Sequence, residues 1–135
     1  KLETFTISGY KFGHSICYDL RFPKLFRYLA KIGSKVIVIP SAFTFNTGKS
    51  HWHTLVRARA IENMAYCVGV NRTGKDDNLN QYNGHSAIYD VLGKQLTTTK
   101  NEGNFYETII LEKTHIVSER AHFQFLSDRD HFTLN

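Results

Sequence analysis

At 135 residues, with 41% apolar, 21% charged and 13% aromatic side chains, the chain is sized for one domain with a packed core, and nothing in its composition suggests disorder, collagen or a coiled coil. The net charge of +5, from 17 Lys and Arg against 12 acids, is spread in runs of no more than two basic residues, which argues against a nucleic-acid partner, and no apolar run approaches the roughly 20 residues that span a membrane. Two cysteines, Cys17 and Cys67, stand apart without a CxxC spacing, so the expectation is a reduced, cytoplasmic setting instead of a disulfide scaffold, and the first residues show no signal-peptide pattern.

Alternation over Thr4–Ile7 and again over Lys11–Cys17 predicts two strands around Gly9-Tyr10. Pro23 suits the first turn of a helix, Leu25, Phe26, Leu29 and Ile32 give it an apolar face, and Gly33 can end it. Val36–Ile39 is uniformly apolar and β-branched, as a strand buried on both faces would be, and Pro40 stops it. Ser41–Lys49 reads as a loop, and Ser50 as the N-cap of a long helix to about Met64, with Trp52, Val56, Ala60 and Met64 in one stripe.

Tyr66–Asn71 is a further apolar strand, and the polar Thr73–Asn83 stretch reads as an exposed loop. Strands are then predicted over Gly84–Asp90, Gln95–Thr99 and Phe105–Leu111, with turns at Val91–Lys94 and Asn101–Asn104, followed by a short helix over Glu112–Ala121. No pattern places the tail from His122. Helices alternating with strands early, then a run of strands, predict an α/β layered domain with a mixed sheet.

Cys17 sits where a strand gives way to a polar turn and a helix. A nucleophile there would be exposed at a sheet edge, with backbone N–H groups at hand for an oxyanion and a helix N-terminus that favours a thiolate. By spacing alone, a cysteine in an apolar strand is better explained as a small core residue, and Cys67 reads that way. The longer string Gly13–Pro23, containing Cys17-Tyr18-Asp19-Leu20-Arg21-Phe22-Pro23, resembles the nucleophile segment of the nitrilase superfamily. Three later segments are similar to that family's motifs and in its order: Pro40–Thr44, the helix His51-Trp52…Leu55…Ala58-Arg59-Ala60-Ile61-Glu62-Asn63, and Gly84–Asp90, a G-x-S-x-I-x-D strand. Tyr18–Pro23 looks most like the omega-amidase branch, which hydrolyses terminal amides of small dicarboxylic acid monoamides.

The resemblance implies a fold, a reaction and a set of roles. The fold would be the C-terminal portion of an α-β-β-α sandwich, residues 1–135 being a partial carbon-nitrogen hydrolase domain. Cys17 would attack a small linear amide to form a thioester, with the Tyr18 N–H holding the oxyanion. A glutamate, a lysine and a second glutamate, all upstream of the cysteine in the family, would complete the site without any cofactor. Only sixteen residues precede Cys17, and neither Glu3 nor Lys11 matches the family's motifs. The chain is therefore expected to be incomplete and inactive alone, its opening at Lys1 suggesting a piece cut from something longer.

Phe43 and Thr44 are candidates to line the substrate, while Asp19 and Arg21 are expected to brace the turn after the nucleophile. Arg59 and Glu62, three apart, are expected to pair on the helix surface. His51 and His53 point to different helix faces, so no metal site is expected. The partners expected are a small amide and either a second copy of the chain or a missing N-terminal half that would cover an open sheet face. The other reading is an inactive remnant that serves as a scaffold or completes a site with a separate half.

Overall fold

A computed structural model describes residues 2–99 and 103–130. The antiparallel hairpin β1 (Thr4–Ile7) and β2 (Tyr10–His14) leads into a 3-10 turn at Cys17–Arg21 and then α1 (Pro23–Lys31). There follow β3 (Val36–Ser41), α2 (Phe45–Asn63), β4 (Tyr66–Asn71), the small hairpin β5 (Thr73–Lys75) and β6 (Gln81–Asn83), β7 (Ala87–Tyr89) and α3 (Lys113–His122). The main sheet runs β1-β2-β3-β4-β7, with β2, β3 and β4 parallel and the outer two strands antiparallel to their neighbours. This is the mixed α/β sheet that the pattern predicts.

Side-chain alternation along the central strands sorts two cores. Ile37, Ile39 and Cys67 face Phe26 and Leu29 of α1 and Trp52, Val56 and Ala60 of α2, all essentially fully buried. Val36 and Tyr66 point the other way and meet Met64, Val91 and Ile116 of α3. That second face is only partly covered by the described residues: Phe5, Ile7 and Val70 stay 45%, 56% and 51% exposed. The three parallel strands all end at one edge, which is where ligands gather in open α/β sheets.

The structure differs from the sequence expectations in several places. β2 stops at His14, so Cys17 lies in the turn and not in the strand. α2 starts at Phe45, five residues before Ser50, with Thr44 as the extended N-cap residue. Gly48 argues against a helix there by propensity, but its N–H reaches the Thr44 carbonyl at 2.7 Å and it packs closely against Phe43 and Asn83. The polar 73–83 stretch is not a plain loop. Asp76 accepts the N–H groups of Asn78 and Asn80 and the Tyr82 hydroxyl, which folds it into the β5–β6 hairpin.

Beyond β7, Gln95 contributes a single bridge to Tyr89, and the turn before it is held by Asp90, whose Oδ1 accepts the N–H groups of Leu92 and Lys94. Phe105–Leu111 forms no strand; it is irregular, with Tyr106 and Ile110 exposed. Alternation alone does not make a strand, and among the described residues this segment pairs with neither edge of the main sheet. The turn predicted at Asn101–Asn104 falls partly outside the described residues.

Close packing of α2 on the sheet depends on Gly69. A Cβ there would stand 2.7 Å from Trp52 Cζ2 and 3.3 Å from Val56 Cγ2. Gly69→Val is expected to lower stability by about 1–3 kcal/mol through overpacking, read as a lower denaturant midpoint with an unchanged slope.

Candidate functional site

Three segments converge at the carboxyl ends of the parallel strands. After β2 comes the Cys17–Arg21 turn, after β3 the Ala42–Thr44 corner, and after β4 the Asn71-Arg72 exit. Cys17 adopts φ = 44°, a left-handed conformation that non-glycine residues rarely take. Such outliers persist only where surrounding contacts enforce them. Here Asp19 supplies one: its carboxylate accepts the Ile16 N–H at 2.9 Å, while the Asp19 N–H returns to the Ile16 carbonyl. Cys17 is half-buried and free, and its Sγ lies 3.5 Å from the Ala42 N–H. The Tyr18 N–H, in the first turn of this short helix, has no hydrogen-bond partner among the described residues. A sulfur and an unpaired N–H thus adjoin on one turn.

Arg59 ties that turn to α2. Its Nε and Nη2 both donate to the Leu20 carbonyl, at 3.0 and 2.7 Å, its Nη1 donates to Glu62 at 3.1 Å, and its guanidinium lies over the Phe26 ring. The expected Arg59–Glu62 pair is therefore present, but not on the surface: Arg59 is 5% exposed. Three-residue spacing pairs the two side chains but cannot tell an outward from an inward helix face.

Arg21 stacks between the Tyr18 and Phe43 rings, 4.8 and 4.7 Å from their centroids. Phe43 itself is 3% exposed and packs on Trp52, so its ring supports Arg21 from below. Thr44 is half-buried and occupies the N-cap position of α2 without a side-chain capping bond. Asn71, at the end of β4, joins the remaining pieces. Its Oδ1 accepts the Phe43 N–H at 2.8 Å, its Nδ2 donates to the Gly84 carbonyl at 2.8 Å, and its own N–H donates to Ser86 Oγ at 3.0 Å. Sequence reasoning missed this hub, although a lone Asn closing an apolar strand is the kind of residue that marks one.

Beside the corner lies a cavity of about 530 Å³, lined by Phe45, Lys49, Lys75, Tyr82, Asn83 and His85 among others. Tyr82 pairs with Thr44 across a β-bridge, which sets the cavity next to the Ala42–Thr44 segment. Below it runs a second missed network. Gln95 donates through Nε2 to the Thr97 carbonyl and Thr99 Oγ1, so its Oε1 accepts the Tyr89 hydroxyl, and His53 must then donate from Nδ1 to Tyr89 at 2.7 Å. Burial, then the neighbouring His85 and Arg57, hold the His53 pKa below 6.5. Among the described residues no cluster of three metal-ligating side chains occurs, and no helix is long and apolar enough to cross a membrane.

A family model described as carbon-nitrogen hydrolase matches residues 1–115. The chain is 48% identical over 81 residues to the deaminated glutathione amidase of Synechocystis, covering 60% of this chain and 30% of that protein. Among solved structures it is similar to XC1258 from Xanthomonas campestris, a CN-hydrolase superfamily protein with an arsenic adduct in its active site. The TM-score is 0.88 at 30% identity, covering 100% of this chain and 52% of that one. It also resembles a mutant amidase from Nesterenkonia sp. that carries the acetamide moiety of fluoroacetamide on its active-site cysteine, with a TM-score of 0.63 at 26% identity over 70% of this chain and 35% of that one. The chain thus spans about a third to a half of the relatives named here.

Two outcomes are expected. Arg59→Met leaves the buried Leu20 carbonyl without its donors and should cost about 1–3 kcal/mol, with faster amide exchange over Leu20–Phe22. Because the His53 pKa is lower folded than unfolded, the folded state takes up fewer protons. Stability should be full above pH 6.5 and fall as the pH drops toward the folded value. Denaturation midpoints across that range should slope less in His53→Gln.

Proposed function

The chain belongs to the carbon-nitrogen hydrolase family, and from that premise we propose that it carries the nucleophile of an amide hydrolase, Cys17. The observation that supports this most is the Cys17–Tyr18 turn: a strained, half-buried thiol whose neighbouring N–H is unpaired among the described residues. In the proposed reaction the thiolate adds to the amide carbon, and the carbonyl oxygen becomes an oxyanion that accepts the Tyr18 N–H. The C–N bond then breaks, the amine leaves with a proton from a general acid, and water hydrolyses the thioester to the acid. The adduct on the active-site cysteine of the Nesterenkonia amidase is consistent with the first of these steps.

The remaining machinery is also part of the proposal. The resemblance implies a proton-shuttling glutamate, an oxyanion-binding lysine and a supporting glutamate, and the sixteen residues before Cys17 offer no match for them. We propose that they come from sequence outside residues 1–135. The same missing part, or a second copy of the chain, would cover the open face that carries Phe5, Ile7 and Val70. Asp19 and Arg21 would keep the turn in shape, and Thr44 would contact substrate from the β3 corner. The substrate class is an amide of a small linear acid. It includes the omega-amides that the Cys17–Pro23 string resembles and the amide of deaminated glutathione after which the Synechocystis relative is named. Two free, separated cysteines suit a cytoplasmic setting.

Ammonia release from a dicarboxylic acid monoamide tests this reading. Residues 1–135 alone should give no rate above background, because losing a positioned acid–base group costs about 10²–10⁴-fold and losing oxyanion stabilisation costs a comparable factor. The full protein should turn over, and Cys17→Ala should abolish that. Turnover by residues 1–135 alone would contradict the division of the site, and activity in Cys17→Ala would contradict the nucleophile.

A further inference from the structure

Two histidines meet at the wall of the cavity beside the β3 corner. The rings of His53, on α2, and His85, between β6 and β7, lie 5.5 Å apart between centroids, and both residues are half-buried. His85 lines the cavity and stands in a left-handed backbone, φ = 59°, directly after Gly84 at φ = 66°. Its carbonyl accepts the Trp52 Nε1–H at 2.7 Å. Its Nδ1 lies 3.5 Å from Asn83 Nδ2, which can only donate, so this nitrogen serves as an acceptor, a role closed to an imidazolium. His53 donates from Nδ1 to Tyr89, whose own hydroxyl is committed to Gln95, and its Nε2 is the nitrogen left to gain or lose a proton.

The charged groups around the pair are of one sign. Arg57, one turn along α2 from His53, lies over the Tyr89 ring at 5.4 Å, and Lys49 and Lys75 share the cavity wall with His85. Among the described residues the acids of the adjoining elements are engaged elsewhere. Asp76 takes Asn78, Asn80 and Tyr82, and Glu62 pairs with Arg59. Asp90 holds the Leu92 and Lys94 N–H groups and faces His115, and Glu107 accepts the Thr98 N–H. A proton added to His53 therefore enters a half-buried, cationic neighbourhood with no described carboxylate to offset it. Burial first, then His85 and Arg57, hold the His53 pKa below 6.5, the direction such a neighbourhood dictates.

We propose that the His53–His85 pair is an acid-operated latch on the cavity wall: a proton on His53 Nε2 drives the His85 ring away and loosens the strained Gly84–His85 segment. The His85 contact with Asn83 then opens, and the hydrogen bond from Trp52 to the His85 carbonyl lengthens. The sign follows from linkage. Because His53 titrates lower in the folded state than unfolded, the latch is fully closed above pH 6.5 and releases as the pH falls toward the folded value. The cavity wall therefore differs between neutral and acid pH, whether or not the chain serves an amide hydrolase.

Trp52 reports the latch directly, because its indole N–H bonds to the His85 carbonyl. In the full protein that indole signal is followed by NMR from about pH 8 to about pH 5, assigned by its absence in Trp52→Phe, with the amide of the fully buried Ile37 as the control for the core. The Trp52 signal should shift in a single step below pH 6.5 while the Ile37 amide stays still. His53→Gln keeps a donor for Tyr89 but cannot titrate, and it should abolish the step. His85→Gln should make the step several-fold smaller. A Trp52 signal that never moves, a step of full size in either variant, or movement only together with Ile37 would overturn the latch. Should His53→Gln fold poorly, His85→Gln decides alone: a diminished step supports the latch and an undiminished one contradicts it.

Discussion

The bond from the Arg59 guanidinium to the Leu20 carbonyl is the constraint on which the site depends. A buried arginine is costly unless it is hydrogen-bonded, and each of the three Arg59 guanidinium nitrogens donates, two to one main-chain carbonyl and one to Glu62. The carbonyl lies three residues past Cys17, so the strained turn is fastened to the longest helix of the described structure. Because α2 is itself packed on the sheet through Trp52, Val56 and Ala60, the position of the thiol follows from the core. The left-handed Cys17 backbone, which would relax in a free peptide, is held by this clamp on one side and by the Asp19–Ile16 hydrogen bonds on the other.

Asn71 does the corresponding work one strand further along. By bonding to Phe43, Gly84 and Ser86 it fixes the β3 corner and the approach to β7 relative to the end of β4. Corner and turn then meet where the Ala42 N–H faces Cys17 Sγ and where Phe43 carries Arg21. The cysteine sulfur thus faces one main-chain N–H, Arg21 rests on an aromatic shelf, and the ionic side chains Lys49 and Lys75 line the neighbouring cavity.

Much of this was legible in the sequence, for physical reasons that differ by element. The uniformly apolar Val36–Ile39 and the apolar run that ends at Asn71 read as central strands, which are covered on both faces, and Leu25, Phe26 and Leu29 share the spacing of one helix face. The Cys17–Pro23 string pointed to the turn because its motif is specific. Less legible were features whose cause is tertiary. Gly48 looks like a helix breaker until Asn83 and Phe43 close around it. Thr73–Asn83 looks like a loop until Asp76 collects its hydrogen bonds, and Phe105–Leu111 alternates like a strand but joins no sheet among the described residues. The predicted and observed element orders nonetheless read alike, because the hairpin within 73–83 takes the place of the strands expected after β7. Arg59 reads as a surface ion-pair partner because sequence spacing records which residues share a helix face, and not whether that face is buried.

The central claim is that Cys17 forms a covalent acyl intermediate. Mass spectrometry of the full protein, quenched in acid during turnover of a small linear amide, tests it most directly. The account predicts that the peptide containing Cys17 gains the mass of the acyl group and loses it on longer incubation. Steady turnover with that peptide unmodified, or with the acyl group on Cys67 or another residue, would contradict it.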